Sequence, residues 1–510
     1  MELVPQFLWL GSTIEQRYGK LKTMGDFALE AASHAISLRL YDLALEWLEQ
    51  GRSIVWNQIL ELRTPFDVLS AVDEDLAREL QSVGRSLELA GSREANLISS
   101  TGEMLDLKRD AQRHRELASE WEQLLRRVRE IPGFEEFLLP KRKKELMNAS
   151  KSGPVIVINV GEAQGDALII LPNNSQTAHV PLPGISRSKA GLLRSQFYPL
   201  LRDQGLLSRG TRGIKRFGYD PRAMFEKVLA TLWIDVVEPV LCYLGIKDSL
   251  STAELPHVTW CTTGDLAGLP LHAAGLYDDP QPGAFDLVVS LYTPTVGALL
   301  TSFPKSSGTF TGILAVGQDD TPGFPRISNT IAELAFIKQR SRDTSFAYTQ
   351  LGGDQATVDS VLVGMKQCSW VHFACHASQP GHDPTNSAFH LYDGSLKLSR
   401  ITQESFENKG LAFLSACQTA TGTEDLPDEA IHLAAGLLMV GYPSIIATLW
   451  SVYDEDAPEV SRNVYADLIS EEGLDHTKAA RALHTAVHKL RMKVGSKLFE
   501  RWTTFIHLGV

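Results

Sequence analysis

After residue 255 the chain alternates short apolar runs with helical stretches, and this alternation limits the possible folds more than any other feature. The strand candidates are His257–Cys261, Leu287–Leu291, Gly312–Gly317, Trp370–Cys375, Leu411–Ala416 and Ser444–Leu449. Helical patterns of roughly ten to sixteen residues lie near 328–340, 355–367, 427–440, 456–470 and 476–492. Strands this apolar must be buried on both faces, and helices between them supply the cover. The pattern therefore predicts an α/β fold built on a mostly parallel sheet with flanking helices. In such sheets, sites collect just beyond the carboxyl ends of the strands.

Two of these strands lead directly into reactive residues. Val371-His-Phe-Ala-Cys375 precedes His376, and Leu411-Ala-Phe-Leu-Ser-Ala416 precedes Cys417, 41 residues further on. That separation suits one strand–connection–strand unit, so neighbouring strands would deliver both side chains to one edge of the sheet. An imidazole beside a thiol can take its proton and later return it to a leaving amine. Gly422 allows the chain to turn away after Cys417, leaving backbone N–H groups for a developing oxyanion; those of Cys417 and Ala377 are the candidates. Other readings stay open. A cysteine in an apolar strand is commonly a core residue, and His376 alone could be a satisfied core histidine. Cys368, His372, Cys375 and His376 also include zinc-type ligands. Consecutive strand residues face opposite ways, however, and no second Cys/His cluster accompanies them. We assign no metal and no cofactor, since the phosphate-binding glycine motifs and the G-x-S-x-G elbow are likewise missing.

The rest of the chain sets the context. At 510 residues it is long enough for two or three domains. Residues 1–145 read as a helical module. Asp26–Leu38 and Asp42–Gly51 form an amphipathic pair resembling a tetratricopeptide unit, though an ordinary helical hairpin fits as well. Leu117, Trp121, Leu124, Leu125 and Val128 mark one buried stripe of a long helix that Ile131-Pro132-Gly133 ends. Residues 146–255 read as a linker region with a β-hairpin (154–160 and 166–171), an exposed connection over 186–216 and a helix over 221–245; the α/β domain then occupies 256–510. A net charge of -12 argues against nucleic acid as a partner, and the basic run Lys141–Lys144 reads as a solvated helix end or linker, with a nuclear-targeting signal as the minor reading. Five scattered cysteines suit a reducing compartment. The uncharged stretch Ala430–Tyr453 is broken by Gly441-Tyr442-Pro443, so it reads as buried helix, turn and strand rather than a membrane span. With no secretion signal at the N-terminus, a cytoplasmic location is expected.

Six ordered motifs carry a family resemblance: Gly264–Ala273, Val371–His376, Leu414–Thr419, Glu429 with His432-Leu433, Leu449–Asp454 and Trp502–Gly509. Together they resemble the CHAT domain, a caspase- and separase-related peptidase domain often found after tetratricopeptide repeats, over residues 150–510. Ala44–Ser53 also resembles the last helical repeat before that domain in fungal proteins of this kind. The resemblance implies a caspase-like fold with His376 as catalytic histidine and Cys417 as nucleophile. Ala377 stands where the family often has glycine. It further implies that Ser415 and the Trp450–Asp454 stretch wall the first specificity pocket, with Asp454 selecting a basic residue; capping of the helix near Asp456 is the other reading of Asp454. Asp265 and Leu269–His272 would be structural. The expected function is limited proteolysis of a protein substrate in regulated cell death, defence or signalling, with a protein partner bound through the N-terminal helices. A catalytically silent scaffold and a cysteine-dependent acyltransferase or non-peptide hydrolase are the rivals.

Overall fold

Each strand expected after residue 255 forms to within about two residues, the usual fraying of element ends. In the computed structural model β1 is Val155–Val160, β2 Gly165–Ile170, β3 Ala178–Leu182, β4 His257–Thr262, β5 Val289–Tyr292, β6 Ile313–Gly317 and β7 Tyr348–Gly352. Then come β8 Trp370–Ala374, β9 His376–Ser378, β10 Ala388–His390, β11 Ser395–Lys397 and β12 Leu411–Leu414. The last four are β13 Ser444–Thr448, β14 Ile469–Ser470, β15 Gly473–Leu474 and β16 Phe505–Gly509. The structure describes residues 4–62, 66–91, 101–207, 220–247, 254–279, 281–302, 309–344, 346–379, 386–404, 406–416, 419, 433–470 and 473–510.

Eleven strands make one sheet in the order β3-β2-β1-β4-β5-β16-β13-β12-β8-β6-β7. Seven of the ten neighbouring pairs are parallel, and β3/β2, β2/β1 and β16/β13 are antiparallel. The C-terminal strand β16 joins two half-sheets, running parallel to β5 and antiparallel to β13. Its end is tightly packed. A Cβ on Gly509, whose φ is +102°, would lie 2.1 Å from the Pro443 carbonyl oxygen, so only glycine closes this corner.

Helices cover both faces. Leu334 of the helix Thr330–Thr344 packs where Gly317 leaves room, while Gly364 of Val358–Gln367 sits against Leu314. Leu314 and Gly317 differ by an odd number of residues along β6, so these two helices lie on opposite faces. Ala430–Tyr453 follows the expected plan where it is described: a helix (Leu433–Met439), a turn at Gly441 with φ +112°, and the buried strand β13. Among the described residues no helix is long and apolar enough to cross a membrane.

The helices expected near the N-terminus also form, at Phe27–Ser37, Tyr41–Gln50 and Thr101–Arg129. The first two bury Leu29, Ala32, Ala35, Leu45 and Leu48 against Val155, Val157, Leu168 and Ile170 of the β1–β2 hairpin. The Glu49 carboxylate accepts the Val296 and Gly297 amides at 2.9 and 2.8 Å. Arg52, 2% exposed, donates to the Thr262 carbonyl at 2.6 Å. The long helix pairs with Glu74–Gly91 around Leu80, Leu87, Trp121, Leu124 and Val128.

Residues 187–203 depart from expectation. They form a helix, Arg187–Asp203, which buries Ala190, Leu193, Phe197, Leu200 and Leu201. Their Ser, Arg and Lys content suggested an exposed connection, but these residues belong to an amphipathic helix, most of them on its outer side and Arg194 buried over the Tyr198 ring. Ser186 starts it by accepting the Lys189 amide. Residues 208–219 of that stretch lie outside the described residues.

Several histidines are packed around β4, β5 and β16. His272 donates from Nε2 to the Thr503 carbonyl (3.0 Å) and meets the Tyr292 hydroxyl through Nδ1 (2.8 Å), tying the Gly264–Ala273 motif to the closing one. His507 Nε2 lies 2.7 Å from the Ser444 hydroxyl. Burial pushes His257, His272 and His484 down to about 4, and His507 to about 3. Each binds a proton more weakly folded than unfolded, so stability is full above pH 6.5 and falls as the pH drops toward those values. At pH 5 the loss is about 2 kcal/mol per histidine. Denaturant unfolding at pH 7.5 and pH 5 is expected to differ by several kcal/mol, and His507→Asn together with His272→Gln to flatten that dependence.

Candidate active site

The neighbouring parallel strands β8 and β12 place their carboxyl ends side by side. Leu414 stands opposite Phe373, and the Ser415 amide donates to the Phe373 carbonyl at 2.8 Å, carrying the pairing one residue past β12. Every residue of β8 and β12 is buried, as is Cys375, whereas His376 and Ser415 are half-buried. The chain thus passes from a dry core to an accessible edge within two residues.

His376 opens β9, an outer strand of a three-stranded sheet ordered β11-β10-β9. Its Nε2 lies 2.6 Å from the Pro325 carbonyl, which can only accept. The proton is therefore on Nε2, and Nδ1 is the basic nitrogen. The Phe324 ring lies over the imidazole at 4.9 Å and an interplanar angle of 26°. His390 faces His376 across the ladder. Its ring nitrogens meet the Ser395 and Ser378 hydroxyls at 3.0 and 2.8 Å. Burial, and then the adjacent His376, hold His390 below the usual histidine value.

The direction of the Ala377 amide follows from the same ladder. Leu391 donates to Gly394 and Leu398 to Ser387, so the odd-numbered residues of β10 bond toward β11. By alternation, Ala388 and His390 bond toward Ser378 and His376, and the Ala377 amide points away from β10.

Cys417 and Gly422, with Glu429 and His432 of the fourth motif, lie outside the described residues. Residues on both sides of Cys417 are described. The buried Thr448 on β13 donates its hydroxyl to the Ala416 carbonyl (2.8 Å) and its amide to the Thr419 hydroxyl (3.1 Å). The Ala434 amide bonds the Thr419 carbonyl at 3.0 Å. One residue of the neighbouring strand therefore grips the chain immediately before Cys417 and two residues after it.

The expected pocket residues take three different positions. Ser415 stands at the end of β12. Trp450 is 1% exposed, donates Nε1–H to the Glu500 carbonyl and meets Phe197 and Phe225 edge-on, so it belongs to the core. Asp454 is exposed, and its carbonyl accepts the Asn329 amide at 2.9 Å. The helix Ala457–Leu468 has Asp456 at its N-cap, with its carboxylate on Arg501, so Asp454 is not the cap. Asn329 thus ties the Asp454 loop to the loop carrying Pro325. The zinc-type residues diverge. His372 is fully buried between Tyr465 and Glu333, each at 3.2 Å, while His376 turns to Pro325. Among the described residues no three His, Cys, Asp or Glu side chains gather as metal ligands.

Phe324, Pro325, Asn329, His390 and Thr448 escaped the sequence reading. A signal existed for the first two in Thr321-Pro-Gly-Phe-Pro325, a proline–glycine turn pattern.

The model of the CHAT domain matches residues 226–510. The chain belongs to the CHAT-domain family. The match and the mostly parallel sheet bear out the expected α/β, caspase-like fold class, with helices preceding it. This CHAT protein is also similar to separase in the separase–securin complex of Saccharomyces cerevisiae, with 12% identity and a TM-score of 0.44; the similarity covers 92% of this chain and 37% of that one. The chain therefore spans well under half the length of separase. The complex of Porphyromonas gingivalis RgpB pro- and mature domains is 10% identical, with a TM-score of 0.38, covering 54% of this chain and 69% of that one. The Arg-specific cysteine proteinase gingipain R is 10% identical, with a TM-score of 0.35, covering 63% and 75%. No curated protein sequence matches the chain.

Replacing Thr448 by valine keeps the shape and removes the hydroxyl that satisfies the Ala416 carbonyl. Thr448→Val is expected to lose about 1–3 kcal/mol in denaturant unfolding, with Thr448→Ser close to wild type.

Proposed function

We propose that this CHAT protein is a cysteine endopeptidase using His376 and Cys417 for limited proteolysis of a protein substrate. The observation that carries this reading is the bond from His376 Nε2 to the Pro325 carbonyl. It orients the imidazole at the end of β8 and leaves Nδ1 to act as base, beside the strand that leads into Cys417. Nδ1 takes the thiol proton, Sγ attacks the scissile carbonyl, and the developing oxyanion is met by the amides of Ala377 and Cys417. As the C–N bond breaks, the amine takes the proton back from Nδ1. The acyl group stays on Sγ as a thioester, which water then hydrolyses.

Ser415 and Asp454 border the pocket for the residue before the scissile bond, with Trp450 packed behind it. Asp454 selects arginine or lysine by charge pairing. Over residues 109–129 the exposed face of the long helix is densely charged, and we assign the N-terminal helices to a protein partner that controls the enzyme. Regulated cell death, defence or signalling is the setting in which such limited cleavage fits.

The test is cleavage of a diverse peptide library, read by mass spectrometry. Wild type is expected to cleave, while Cys417→Ala and His376→Ala are expected to fall by about 10³-fold or more. Equal cleavage by wild type and Cys417→Ala would remove Cys417 from the mechanism; no cleavage, with no labelling of Cys417 by a thiol-reactive probe, would make the chain a silent scaffold. Asp454→Asn is expected to lower the arginine and lysine preference about fivefold, as for a partly exposed ion pair.

A further inference from the structure

The loop that holds His376 has a second feature that the proposed mechanism does not use. Thr321-Pro322-Gly323-Phe324 is a tight turn: the Phe324 amide donates to the Thr321 carbonyl at 3.0 Å, and Gly323 has φ +84°. Proline at the second position and a positive-φ glycine at the third define a type II turn. Pro325 follows directly and restricts Phe324 from the other side. The loop is anchored at both ends. Gln318 donates its amide to Ala374 and its side chain to Asp320, Arg326 forks onto Asp319, and Asn329 reaches Asp454. Phe324 is therefore a fixed aromatic. It lies over His376 and His390 at 4.9 and 4.3 Å, yet 37% of its surface remains exposed. A side chain of this size held rigidly and left partly bare beside a reactive group is an apolar contact surface.

The position of the leaving group follows from proton transfer. The leaving amine must come within hydrogen-bond reach of His376 Nδ1 to take its proton. The residue carrying that amine, the first after the scissile bond, therefore passes beside the imidazole and the ring stacked on it. Asp319 and Arg326 neutralise each other at 2.9 Å, and the exposed Asp320 adds a negative charge to the same loop that repels acidic residues.

We propose that Phe324 forms the subsite for the residue after the scissile bond, and that substrates with a bulky apolar residue there are preferred. This rests on the His376/Cys417 reading and adds to it a requirement on the leaving side of the substrate, independent of the Asp454 pocket. Leu, Ile, Met and Phe are favoured there, and Asp and Glu are disfavoured.

The test uses the full chain and a peptide library randomised on both sides of the scissile bond, comparing wild type, Phe324→Ala, Phe324→Leu and Phe324→Arg. Wild type is expected to favour apolar over acidic residues after the cleavage point by about tenfold, the scale of one apolar contact. Phe324→Ala is expected to erase that preference, Phe324→Leu to keep it, and Phe324→Arg to turn it toward acidic residues. The profile before the cleavage point should stay unchanged in all four, and thermal unfolding should report equal folding. If wild type cleaves through Cys417 with no apolar preference, or Phe324→Ala and Phe324→Arg keep the wild-type profile, the subsite assignment is overturned while the peptidase reading stands. Cleavage absent from wild type removes both.

Discussion

The pairing of β16 with strands that run in opposite directions is the constraint on which the rest of the sheet depends. β5 is parallel to β16 and β13 is antiparallel to it, so the strand direction reverses between the two half-sheets at β16. The last residues of the chain therefore complete the core, and long-range contacts dominate the topology. The consequences reach the functional edge. β13, fixed on one side by five register pairs to β16, holds β12 on the other. Thr448, at the end of β13, then fixes the chain on both sides of Cys417.

What could be read in advance follows from how each element satisfies its burial. Strands such as Trp370–Ala374 and Ser444–Thr448 are buried along their whole length, and a continuous apolar run signals that directly. His376 and Cys417 stood out as candidates because each directly follows such a run in the sequence. β7 was not legible: it lies at the sheet edge with Thr349 and Gln350 exposed, so its stability comes from one neighbour and its sequence carries little apolar pattern. The helix Arg187–Asp203 was hidden by its own outer face. β16 stood in view as a motif, Trp502–Gly509, but a strand whose partners lie more than fifty residues away leaves no local trace of its pairing.

The candidate site shows the same division more sharply. The candidate residues follow strand-forming runs in the sequence, while the described groups around them are distant in sequence. Pro325 lies 51 residues before His376, and Thr448 lies 29 after Thr419. Pro325 acts through a backbone carbonyl, so no side-chain chemistry advertises it. Trp450 illustrates the converse. Its place in a conspicuous motif suggested a pocket wall, but an indole of that size is most stable buried with its N–H satisfied, and it has that arrangement against Glu500, Phe197 and Phe225.

The N-terminal helices also change meaning once their contacts are considered. A separate regulatory module would keep its polar groups in water, yet Glu49 and Arg52 spend their charges on backbone groups of the α/β body: the Val296 and Gly297 amides and the Thr262 carbonyl. Removing those helices would leave buried donors and acceptors without partners, beneath an uncovered apolar face on β1 and β2. Phe27–Ser37 and Tyr41–Gln50 are thus a structural cover of the sheet. The outer pair, Glu74–Gly91 and Thr101–Arg129, instead has its own core around Trp121.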